Sequence, residues 1–91
     1  LPFDMGNFYF KNNKYSYALK WYRNLNDDQF MNELKDKFNF NKGYSLFHVK
    51  RYSAAKPYLE KVKNTRQYES DAHYYLGHIA YQMDDSVNAQ S

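Results

Sequence analysis

The chain has 91 residues, 43% apolar and 21% aromatic, with a formal charge of +3. At this length it makes one small domain that buries only a little over ~60% of its unfolded surface. Its 11 Tyr, 7 Phe and 1 Trp are too many rings for a disordered segment, and the absence of Cys excludes disulfides, thiolate metal sites and a cysteine nucleophile.

Read in chain order, the pattern is helical. Proline occurs only at Pro2 and Pro57, and no period-2 alternation or Asn-Gly or Asp-Gly turn marks a strand or hairpin. A first segment around Gly6 ends in the polar run Lys11-Asn12-Asn13-Lys14. Tyr15, Ala18, Leu19, Tyr22 and Leu25 then recur at three- and four-residue steps, as one face of a helix does. A connection around Asn24–Phe30 comes next, with Asp27 or Asp28 where a helix N-cap is wanted. The following helix carries Gly43, and its successor carries Tyr52, Ala55, Leu59 and Val62, with Pro57 expected to bend it locally. After the polar run Lys63–Arg66 comes a helix holding Gly77, and Asp84-Asp85 predicts the N-cap of a last one.

The glycines organise these elements. Gly43 and Gly77 are 34 residues apart, Gly6 and Gly43 are 37 apart, and twelve residues after each lies an alanine: Ala18, Ala55 and Ala89. Four residues beyond the first two alanines come Tyr22 and Leu59, and three further on Leu25 and Val62. Small residues in phase allow two helices to cross closely while large ones fill the groove, so the spacing predicts stacked helix–turn–helix units. Copies are expected at about 1–30, 31–69 and 70–91, with the extra three residues of the first interval lengthening the connection before the second.

These residues resemble the tetratricopeptide repeat, a ~34-residue helix–turn–helix marked by W-x2-L-G-x2-Y and then A-x3-F. The third copy reads His73-x2-Leu76-Gly77-x2-Ala80 with Ala89 in place, and the second Asn39-x2-Lys42-Gly43-x2-Leu46, then Ala55-x3-Leu59. The first reads Pro2-x2-Met5-Gly6-x2-Tyr9, then Ala18-x3-Tyr22. No copy has the tryptophan, Lys42 stands where leucine is usual, Gln67 replaces the closing proline and Ser86 a tyrosine. The resemblance implies an all-α solenoid of about two and a half repeats that binds proteins. The run Asp71–Tyr81 is similar to repeats of bacterial cell-envelope proteins, which points weakly to that compartment over the cytoplasm.

Family members bind extended peptides or partner helices in a concave groove lined by their first helices. In this chain the corresponding positions bring forward Asn7, Phe10, Phe40, Asn41, Tyr44, Phe47, His48, Tyr74, Tyr75, His78 and Tyr81. Rings with polar tips bury area at low entropic cost, which suits recognition. Phe40, Phe47, Tyr74 and Tyr81 have packing between repeats as their alternative use. A carboxylate clamp of the kind some members use is rejected: Asn7 and Asn41 match it, but Phe3, Asp71 and Tyr75 stand where its three cations belong, and a carboxylate cannot be desolvated there without them.

No chemistry competes with binding. His73 and His78 are five apart and diverge around a helix, His48 lies in another copy, and no metal or other cofactor is expected. The pairs Asp27-Asp28 and Asp84-Asp85 read as caps rather than as catalytic carboxylates, and no phosphate loop or nucleophile elbow is present. An enzyme is therefore not expected. No apolar run reaches the ~20 residues of a membrane span. Residues 1–66 hold all 13 Lys and Arg against six acids, a net of +7, whereas residues 67–91 hold four acids alone, −4. Single-stranded nucleic acid is the rival ligand, disfavoured because the acidic third copy breaks any basic track. The chain begins Leu1-Pro2 and stops two residues past Ala89, so the third copy is expected to be completed by a longer array or, as a homodimer, by a second molecule.

Overall fold

The computed structural model describes residues 1–90, with the side chains of residues 1–84. Among them it is all helical: α1 (Pro2–Lys11), α2 (Tyr15–Tyr22), a 3-10 turn (Asp27–Gln29), α3 (Asn32–His48), α4 (Tyr52–Glu60) and α5 (Glu69–Gln90). Pro2 opens α1, where its missing N–H is one that the helix leaves unpaired anyway, and Asp4 and Lys11 oppose the helix dipole at its two ends. Backbone neighbours run in chain order, α1 on α2, α2 on α3, α3 on α4 and α4 on α5. α1, α3 and α5 also meet one another successively, so they form one layer, and α2 and α4 lie on the other.

Two turns of one design make the first two reversals. The amide of Asn13 donates to the Phe10 carbonyl and that of Lys14 to the Tyr9 carbonyl, and Lys50 and Arg51 repeat the pair with Phe47 and Leu46. These bonds satisfy carbonyls left free at a helix end and require one residue in the left-handed region. Asn13 (φ 61°) and Lys50 (φ 67°) supply it, each seven residues after its glycine.

Both glycines sit at helix crossings. A Cβ on Gly6 would overlap the Tyr22 ring, and one on Gly43 would lie 2.8 Å from Leu59 Cγ and 3.1 Å from Tyr58 Cβ. Ala18 and Ala55 are fully buried beside them. Tyr22, Phe38 and Ala18 form one core with Phe3, Phe30 and Leu25 against it, and Phe40, Leu46, Ala55, Leu59, Val62, Ala72 and Ile79 form the next.

The third copy departs from expectation. Asp84, seven residues after Gly77, remains helical, and α5 runs unbroken through Asp84-Asp85 to Gln90. No cap and no third reversal form there. A non-glycine residue in the left-handed region costs ~1–2 kcal/mol, repaid only when the returning helix buries an apolar face. Among the described residues, nothing beyond its own turns of helix lies within 4 Å of where a Gly77 Cβ would be. Ala89 lies outside the residues whose side chains are described.

Two smaller features also differ from expectation. The extra three residues between the first glycines go chiefly into α3, which begins eleven residues ahead of Gly43 while α5 begins eight ahead of Gly77; the two connections differ by one residue. One more turn of α3 lets Phe38, fully buried, close over the first core. Asp27 and Asp28 do not cap α3, whose N-cap is Met31; they form the 3-10 turn, itself closed by a capping box between Asn26 and Gln29. Asp27 instead accepts hydrogen bonds from Asn39 Nδ2 (3.2 Å) and Lys61 Nζ (2.9 Å). α4 continues through Pro57 as one helix.

Candidate functional site

The layer of α1, α3 and α5 carries a continuous succession of rings. Phe10 on α1 meets Tyr44 on α3 edge to face at 5.4 Å, and Tyr44 meets His48 at 4.4 Å and Tyr75 on α5 at 5.1 Å. Phe47 lies 4.7 Å from Tyr75 and 6.0 Å from His78, and Tyr74 lies 4.8 Å from His78. Spacing along α3 explains the run: Phe40, Tyr44, Phe47 and His48 step by three or four residues and so share a face. Offset and edge-on pairs at these separations contribute ~0.5–1.5 kcal/mol each beyond burial, so the succession stiffens the layer as well as coating it.

Two further rings belong to this face, and the register of the groove positions does not pick them out. Tyr15, at the start of α2, stacks on His48 at 4.6 Å with the planes 18° apart, and Tyr68, just before α5, stacks on Phe40 at 4.7 Å and 20°. Tyr15 sits in the register of Tyr52, a visible signal. Tyr68 lies in the connection before α5, where helical periodicity gives none.

Not every expected residue is available to a ligand. Phe40 is buried under Tyr68, and Tyr81 is 64% exposed with no ring beside it among the described residues. Asn41 is buried: its Nδ2 donates to Asn7 Oδ1 at 3.2 Å and to the Tyr22 hydroxyl at 3.4 Å, while that hydroxyl donates to Asn7 Oδ1. The two asparagines therefore tie α1, α2 and α3 together around a buried tyrosine. A cleft of about 460 Å³ remains beside them, lined by Asn7, Phe8, Phe10, Lys11, Lys37 and Tyr68 above the edges of Phe40 and Asn41. Its size falls in the range of ligand pockets. Tyr74, 61% exposed, and the exposed ring of His78 continue the surface along α5.

Apart from Lys11 and Lys37 at its cleft, the ring-lined face is formed by uncharged side chains. Burial, reinforced by the neighbouring Tyr44 hydroxyl, pushes Tyr15 up to about 12 and Tyr75 higher still, so both remain hydroxyl donors at physiological pH. Burial pushes Tyr22 up to about 12 as well, against the opposing hydrogen bond from Asn41. Burial between rings lowers the pKa of His48, which favours the uncharged imidazole. Such a surface offers apolar area with O–H and N–H groups at its edges. It fits an extended or helical segment of mixed apolar and polar character.

Among the described residues, no three His, Asp or Glu side chains are grouped as a metal site would need, and no helix is long and apolar enough to cross a membrane. His73 faces a separate cleft between α4 and α5, beside Leu76, Ile79 and Met83. No family model, curated protein or solved structure matches the chain.

Proposed function

We propose that the chain is a non-catalytic protein-interaction module of the tetratricopeptide-repeat kind, a short α-solenoid that holds a peptide or partner helix along its aromatic layer. The ring succession from Phe10 to His78 is the observation that carries this reading. A core alone does not call for rings left half-exposed along one layer, with the hydroxyls of Tyr44, Tyr74 and Tyr75 and the imidazoles of His48 and His78 among them. The paired glycine crossings and matched turns support the repeat assignment, as does the burial of Ala18 and Ala55 in the same register. A peptide library displayed on phage and selected against the whole chain tests it. Selected peptides should share apolar anchors and should bind Tyr74→Ala and His78→Ala variants at least about tenfold more weakly, with circular dichroism unchanged. Undiminished binding by both variants would remove the aromatic layer from consideration.

A second reading rests on α5. Leu76, Ile79 and Met83 line its cleft with α4, and Gly77 stands open beside them, as on a helix that lacks a partner. A second copy packed there would make a homodimer. Sedimentation equilibrium at micromolar concentration distinguishes the cases: a dimer lost on Met83→Lys supports self-association, and a monomer throughout excludes it.

A further inference from the structure

On the opposite side of the molecule lies a cleft of about 490 Å³ unrelated to the aromatic layer. α2 and α4 both pack on α3 but their backbones do not approach each other, which leaves a furrow floored by α3. Its walls carry Lys20 and Arg23 from α2, Lys42 from α3 and Arg51 from α4. Leu19, Leu46, Val49 and Ala54 supply apolar lining, and among the described residues no carboxylate lines it.

Local structure accounts for two of these cations and not for the others. Lys20 and Arg23 sit at the C-terminal end of α2, where the helix dipole favours positive charge. Lys42 is mid-helix, in the register that holds Met5 in the first copy and Leu76 in the third. Its Nζ lies 4.8 Å from the centre of the Tyr58 ring and 5.6 Å from that of Phe38, which fixes the charge at the furrow. Arg51 is the N-cap of α4, the end at which a cation is disfavoured, and neither a capping side chain nor an acid in the first turn offsets it. The ion pairs among the described residues, Lys61–Asp27 and Lys63–Glu60, lie elsewhere. Four cations with no carboxylate partner among the described residues, the positive end of α4 and an apolar lining thus converge on one recess.

We propose that the furrow between α2 and α4 is a docking site for an acidic peptide segment, with carboxylates held by Lys42 and Arg51 and an adjoining apolar side chain on Leu19, Leu46 and Val49. Charge complementarity selects an anion, and the shape selects a chain. A planar bilayer cannot reach the floor of a recess. Single-stranded nucleic acid needs open rings for its bases, and the one ring lining this site, Tyr58, is already covered by Lys42.

The test uses the whole chain and a fluorescein-labelled octapeptide alternating Asp and Leu, followed by fluorescence anisotropy at low salt. Binding should weaken about tenfold or more when Asn replaces Asp in the peptide, and again in the Lys42→Met/Arg51→Gln variant. Lys42→Met keeps an apolar stem in the register of Met5 and Leu76, and circular dichroism checks the fold of the variant. Lys14→Gln/Arg66→Gln removes the same two charges outside the furrow and should leave the affinity within about twofold, above the general effect of screening. Equal binding of the Asn peptide, or equal loss in the two double variants, would overturn the proposal. So would retention of the octapeptide on the furrow variant while vesicles of phosphatidylserine and phosphatidylcholine, or a ten-nucleotide dT strand, lose their binding to it.

Discussion

Gly43 and Gly77 lie 34 residues apart, each with a helix around it, yet one is pressed against Leu59 and Tyr58 and the other, among the described residues, faces nothing within 4 Å outside its own stretch of helix. The helices that carry them, α3 and α5, end differently. After α3 the chain reverses through a left-handed Lys50 and returns as α4, whereas α5 simply continues. A small residue at the right spacing therefore marks where a crossing can form. The crossing itself exists only where the chain turns back and lays a second helix against the first.

Substitutions at the three glycines break or sharpen this contrast. Gly6→Ala drives a methyl into the Tyr22 ring and is expected to cost about 2–3 kcal/mol, read as a fall in the urea midpoint with little change of slope. A variant as stable as the parent would show that α1 and α2 do not cross there. Gly43→Ala meets Leu59 Cγ and Tyr58 Cβ at longer distances than those at Gly6 and should cost less, about 1–2 kcal/mol by the same measurement. Tyr22→Phe keeps the ring but removes the hydroxyl that links Asn7 and Asn41, for a loss of about 1–2 kcal/mol. Gly77→Ala reverses the sign: with open space and a helical backbone it should raise stability by about 0.5–1 kcal/mol. The smallest effect concerns the tie between the two connections. The hydrogen bond from Lys61, then that from Asn39, holds Asp27 below its ordinary value of 3.8. Its stabilising contribution is therefore complete above pH 3.8 and is lost as pH falls through the lower folded value. Asp27→Asn should flatten the acid limb of stability against pH, by less than about 1 kcal/mol for so accessible a pair.

The helical class and the first two crossings were legible because they depend on spacing alone. Glycine, alanine and a large residue fall in phase, and Gly6 with Tyr22 and Gly43 with Leu59 do meet. What spacing could not convey was how many sides of a helix are covered. α3 is enclosed by α2 on one side and α4 on the other, so Phe38, Asn39, Asn41 and Ser45 are all buried and its polar and apolar residues do not separate into two faces. Equivalent registers differ in the same way from copy to copy: Phe8 on α1 is 59% exposed, while Ser45 on α3 and Ile79 on α5 are buried. Register alone assigns Asn41 to the groove, yet it is a buried link to Tyr22, because a tertiary hydrogen bond across 19 residues leaves no local trace. The third reversal is missing for the opposite reason. Asp84-Asp85 has the composition of a cap, but composition does not say whether the helix before it has ended, and α5 continues through both residues.

The enclosure of α3 also has a consequence for how the chain opens. Amide hydrogens along Phe38–Leu46 can reach solvent only when helices on both flanks detach, so their exchange with deuterium should report the global unfolding free energy. Amides of α1 and of the first half of α5, at the two ends of the helix succession, exchange through smaller openings. A protection gradient falling from the middle of the chain toward both termini is the signature of that arrangement, and it places the last structure to melt in the helix that touches every other.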